Sequence, residues 1–159
     1  MDPNIAHAVE IAAVVVAGTM TGSEIAVAVF FHPRISRLEE TAHVQAAQTL
    51  ASALGTVMPF WYALTFALSL AATFVAHPAW STLWWLALSA TALFALMILY
   101  SLLLPVPINN QIARWQLDSL PANWRELRRR WDRLHAIRVV FLVVALILLV
   151  ASSAIQPVP

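Results

Sequence analysis

Cysteine and lysine are both absent from the 159 residues, and only three glycines occur. Without cysteine there is no disulfide, no iron–sulfur cluster and no thiolate metal site, and the redox compartment is left open. Charge is scarce as well: 11% of residues are charged against 61% hydrophobic, too little polar surface to cover a soluble globule. The chain therefore reads as an integral membrane protein whose first partner is the lipid bilayer. Its length suits about four spans of roughly 20 residues with short connections, and no sizeable water-soluble domain fits in what remains. The start, Met1-Asp-Pro-Asn4, lacks a basic stretch and a small-residue cleavage site, so the first apolar segment is expected to stay as a span.

What is present falls into order along the chain. The first span, 5–31, carries Gly18-Thr-Met-Thr-Gly22, a small-xxx-small pattern that lets another helix approach, and ends at Phe31-His32-Pro33, where proline is a natural stop. A second helix covers 41–75, with polar first turns (His43, Gln45, Gln48) and a kink expected at Pro59. Trp80, Trp84 and Trp85 open a third span, 80–104, like an interfacial aromatic belt. Pro105-Val-Pro107 breaks that helix, and an amphipathic interfacial segment, 108–130, leads to a fourth span, 131–152, and a proline-containing tail, Gln156 to Pro159. The fold expected is an all-α, single-domain transmembrane four-helix bundle with an interfacial helical segment between spans three and four.

All the fixed positive charge is arginine, and seven of the nine arginines lie between Arg114 and Arg138. Placed between two spans, that cluster orients the chain and meets anionic headgroups, so no nucleic-acid partner is expected. By the positive-inside rule this loop is cytoplasmic, and Arg34 and Arg37 put the first loop on the same side, as in a bacterial inner membrane. Glu24 is the exception in the first span, because a carboxylate there costs several kcal/mol unless paired, hydrated or neutralised. Counting inward from the cytoplasmic ends, Glu24, Gln48 and Arg138 each lie about 12 Å deep at 1.5 Å per residue. His43 and His135 lie about 5–8 Å deep by the same count, with His32, Asn109 and Asn110 at the rim. On the last span Trp131, His135 and Arg138 share a face. The constellation expected is thus Glu24, Gln48 and Arg138 below, with His32, His43, His135 and Asn109 above. Glu10, His7 and His77 belong to the other side and are left out.

Phe31-His32-Pro33, the Pro105-Val-Pro107-Ile-Asn109-Asn110 break and Trp131-x3-His135-x2-Arg138 resemble the small four-helix membrane proteins called anthrone oxygenase-like. The resemblance covers nearly the whole chain in layout, and its most specific parts are the break and the start of the last span. It implies an oxygen-using monooxygenase, with molecular oxygen as co-substrate, acting on a lipophilic anthrone-like aromatic that enters between helices. On that reading His43 or His135 takes a proton from the substrate, Arg138 and Asn109 stabilise the resulting oxyanion, and Trp131 and Phe31 stack on its rings. His32, Gln48 and Asn110 complete the binding residues.

A metal site is the alternative chemistry: His43, His135 and Glu24 are ligands suited to iron or copper. The competing class is a small proton-coupled transport or binding subunit in which Glu24 and Arg138 form a structural pair. Four spans without an inverted repeat then call for a homo-oligomer, which the exposed aromatic and small-residue surface permits.

Overall fold

In the computed structural model, which describes residues 2–154, four long apolar helices lie side by side, each long and apolar enough to cross a membrane. The first, α1 (Pro3–Ala26), starts where sequence chemistry favours a start. Asp2 accepts a hydrogen bond from the Asn4 amide at 2.9 Å, and a proline occupies the first turn, where its missing N–H costs nothing. It runs through a π-turn (Val27–Phe31) into α2 (His32–Ile35), so the first span passes Pro33 and ends at Ile35. The proline is tolerated because it follows directly on the π-turn, which has already interrupted the regular ladder: the His32 amide bonds to the Val27 carbonyl, five residues back rather than four.

The second span, α3 (Glu40–Val75), is capped by the Glu39 carboxylate, which accepts from the Ala42 amide at 3.0 Å, and carries Pro59 in its interior. Ser81 caps α4 (Thr82–Leu103), accepting from the Trp84 amide at 3.1 Å. The Pro105 break is a bend rather than an end. Leu104 leaves regular geometry and α5 (Pro105–Ile112) resumes at once, with Pro105 where a helix accepts proline. The stretch 108–130 is divided accordingly: α5 holds its beginning, turns fill 113–123, and α6 (Trp124–Ala154) takes in the Arg128–Arg130 triplet as the first turns of the last span. The tail beginning at Gln156 lies outside the described residues.

Contacts run from α1 to α3, α3 to α4, α4 to α6 and from α6 back to α1, closing a ring of four helices. Alanines let the backbones approach: Ala13, Ala17, Ala72, Ala87, Ala90 and Ala145 are all buried, with Met20, Phe94, Leu142 and Leu149 filling the space between. A second cluster, around Val44, Ala47, Ile112, Trp115 and Trp124, closes the arginine-rich end, where α5 and the following turns pack beneath α3. Gly18 and Gly22 are not part of any such contact: a Cβ on either would meet nothing within 4 Å, so their face looks away from the rest of this chain.

Candidate functional site

Glu24 enters the bundle because α1 buries Ala13, Ala17, Met20, Thr21 and Glu24, one helical face at three- and four-residue spacing. Its carboxylate meets side chains from other helices. Arg138 of α6 donates from Nη2 to Oε2 at 2.8 Å, and the Tyr62 hydroxyl of α3 donates to Oε1 at 3.0 Å. Ser101 of α4 accepts from Arg138 Nη1 at 3.1 Å, and the guanidinium lies 5.6 Å from the centre of the Tyr62 ring. Each of the four spans thus contributes one polar group to a single knot. Glu24, Tyr62 and Arg138 are all buried, so each charge is stabilised by its partners instead of by water.

His135 completes the knot. Nε2 lies 3.2 Å from the Glu24 main-chain carbonyl, which can only accept, so Nε2 carries a proton. Nδ1 stands between a donor and an acceptor, 2.9 Å from Arg138 Nη2 and 3.1 Å from Glu24 Oε2. The π-turn following Glu24 explains a second neighbour. In an unbroken helix, residues 24 and 32 would point about 80° apart, whereas one extra residue in the turn reduces this to about 20°. His32 is thereby carried to the inside, where its ring meets Trp131 and His135 edge-on, each at 4.9 Å, while Trp131 stacks on His135 at 5.0 Å. His32 Nδ1 lies 3.4 Å from Asp132, which pairs with Arg128 at 3.0 Å. A row of polar rings and charges thus leads from Glu24 to the partly buried carboxylate of Asp132.

Beside the knot, a cavity of about 250 Å³ opens between α3 and the α4–α5 bend. Its walls are aliphatic (Leu54, Met58, Ile98, Leu102), and its polar groups are Tyr62, Ser101, Asn109, Asn110, Trp131 and Arg138. Two buried N–H groups of its lining, Trp131 Nε1 and Arg138 Nε, meet no acceptor among the described residues. Apolar walls with a few convergent polar groups are the ordinary make-up of a small-molecule site.

Of the residues expected at the site, Glu24, His32, Trp131, His135 and Arg138 come together, and Asn109 and Asn110 line the cavity. Asn109 also donates to the Ala51 carbonyl at 3.1 Å, tying α5 to α3. Gln48 does not join Glu24: it donates to the Trp115 carbonyl at 2.6 Å and anchors the turn after α5, because equal depth does not fix which way a side chain points around its helix. Phe31 is half exposed on the outer surface. The π-turn that brings His32 inward turns its neighbour out.

The expected metal grouping of His43, His135 and Glu24 is not formed. His43 packs edge-on against Trp124 at 5.1 Å, in the cluster at the arginine-rich end. Among the described residues no three histidine or carboxylate side chains converge as a metal site, so these residues do not fit an iron or copper centre. Tyr62 and Ser101 were not foreseen. Tyr62 lies among the aromatic neighbours of Pro59, and Ser101 in a span that reads as wholly lipid-facing. The available signal was Ser101, a hydroxyl in the last turn of a helix without a charged residue. At the opposite end Glu10 is nearly buried, 3.3 Å from His77 and 3.7 Å from His7.

Fold and site together define a class: a small integral membrane protein whose four helices bury an ion pair beside an apolar cavity. Residues 48–148 match the anthrone oxygenase family, and the chain belongs to it. The match includes Tyr62, Ser101, Asn109, Trp131, His135 and Arg138; Glu24 and His32 lie before it. No curated protein and no solved structure matches the chain. Membership supports a membrane oxygenase-like role.

Proposed function

We propose that the chain is a membrane monooxygenase that converts the ring methylene of a lipophilic, anthrone-like aromatic to a carbonyl with molecular oxygen. The observation that carries this reading is the position of Arg138 and Tyr62. Both line the cavity while bonded to Glu24 behind them, so a base and an oxyanion partner face one apolar space. The substrate's oxygen sits against Arg138, whose guanidinium stabilises the negative charge that develops when a methylene proton leaves. Tyr62 takes that proton as its own passes to Glu24, a one-step relay along the 3.0 Å hydrogen bond.

The carbanion then gives its electrons to oxygen and forms the new carbon–oxygen bond. Protonation yields a hydroperoxide, and loss of the second methylene proton with cleavage of the O–O bond releases water and leaves the carbonyl. Four electrons pass from the methylene to one oxygen molecule, with one oxygen atom in the product and the other in water, so no external reductant is needed. Asn109, Asn110 and Trp131 hold the substrate. His135 fixes Arg138 and Glu24, and His32 packs edge-on beyond it toward Asp132 at the arginine-rich end. By the positive-inside rule that end faces the cytoplasm.

Oxygen uptake by the purified protein in nanodiscs, with 9-anthrone as substrate, tests the proposal. One oxygen consumed per quinone formed is expected, and Arg138→Gln should lower the rate by about 10²–10³, as for loss of an oxyanion donor. A rate no higher than spontaneous oxidation in empty nanodiscs would overturn it.

A further inference from the structure

The cavity adjoins an unusual line of residues on α3. Gly55, Pro59 and Ala63, spaced by four, all face outward and all line the cavity. Opposite them, also spaced by four, are Ile98 and Leu102 of α4 and Val106 of α5. The bulky outward residues of α3 (Val57, Phe60 and Leu64) are not part of the lining. The two lines form a seam about 12 Å long at 1.5 Å per residue, with only small side chains on one edge. Pro59 has no N–H, so the Gly55 carbonyl at the seam lacks its ordinary helical donor. Behind it are the two buried donors without acceptors, Trp131 Nε1 and Arg138 Nε.

We propose that this seam is the portal through which ligand passes sideways from the lipid into the cavity, and that Gly55 sets its width. The inference rests on the proposed oxygenase reading for the identity of the ligand but not for the existence of the passage. A flat fused-ring molecule fits a slot of this shape edge-on, with its ring plane along the helix axes. Its hydroxyl is met by the Gly55 carbonyl on the way in, and its carbonyl oxygen by the waiting N–H groups inside. An added Cβ at Gly55 would stand 3.4 Å from Asn109 Nδ2, in ordinary contact, so a longer, branched side chain there projects across the opening.

The test is stopped-flow binding of 1,8-dihydroxyanthraquinone to the full chain in phosphatidylcholine nanodiscs, followed by quenching of tryptophan emission. Wild type binds saturably, and the association rate falls tenfold or more in Gly55→Leu and in Ala63→Leu. Val57→Leu, an exposed enlargement off the seam, leaves the rate unchanged. Ala63→Leu, at an outward-facing position, decides the matter if Gly55→Leu fails to fold. Wild-type rates in both seam variants, equal slowing in Val57→Leu, or no saturable binding at all would overturn the portal. Seam-sensitive binding without oxygen uptake from 9-anthrone would leave the portal standing and remove the oxygenase reading.

Discussion

Replacing Tyr62 by phenylalanine removes one oxygen atom and little else, which makes it the sharpest probe of the site. The ring stays beneath Arg138, and Glu24 keeps its 2.8 Å bond to the guanidinium, but Oε1 loses the hydroxyl at 3.0 Å. A hydrogen bond to a charged group contributes about 1.5–3 kcal/mol, which bounds the loss of stability. The effect on turnover is expected to be separate and larger. If the hydroxyl carries the substrate proton to Glu24, its removal costs the whole general-base contribution, about 10²–10⁴ in rate, or about 3–5 kcal/mol of barrier. Oxygen consumption with 9-anthrone gives kcat and KM, thermal unfolding in the same nanodiscs gives stability, and binding of 1,8-dihydroxyanthraquinone reports the intact cavity. The relay requires kcat to collapse while binding remains within a few-fold of wild type. A variant that binds, folds and turns over at close to the wild-type rate would refute it and leave Tyr62 a packing residue.

Two further outcomes follow from the same geometry. Arg138→Met or Glu24→Leu alone strands a buried charge and should cost about 3–5 kcal/mol, seen as lost accumulation in membranes, whereas the two together should recover most of it, because apolar replacement of a whole buried pair is close to neutral. If the double variant accumulates no better than either single one, the pair is not the main reason these residues tolerate burial. His43→Ala should leave oxygen uptake within about twofold of wild type, since general-base effects of about 10²–10⁴ belong to groups that reach the substrate and His43 lies against Trp124 instead; a hundredfold loss would place it in the reaction.

Much of the site could be read from residue counts. Glu24 and Arg138 lie at one depth on different spans, and a carboxylate in a lipid-facing run requires a partner, so their pairing was expected. Gln48 satisfied the same count and went elsewhere, since depth is one coordinate and direction around the helix is the other. His32 illustrates the converse. Its inward position depends on the π-turn at Val27–Phe31, and no residue in that apolar stretch announces such a turn. Tyr62 was hidden for a related reason: a tyrosine beside aromatic neighbours in a span reads as an interfacial or lipid-facing residue until the helix opposite is known to bring a carboxylate to it.

Composition and periodicity by themselves determined that this is a membrane protein of four helices, where most of those helices begin, and that Glu24 must be neutralised from within. Those are consequences of solvation and local hydrogen bonding, which act on each segment whatever its neighbours are. Which groups meet Glu24, where α6 starts relative to its arginines, that His43 faces tryptophan rather than His135, and that a slot opens beside Gly55 were decided only when the four helices packed. Packing sets the rotation of each helix about its axis, and one added residue in the turn at Val27–Phe31 changes that rotation without leaving a mark on the hydrophobic pattern.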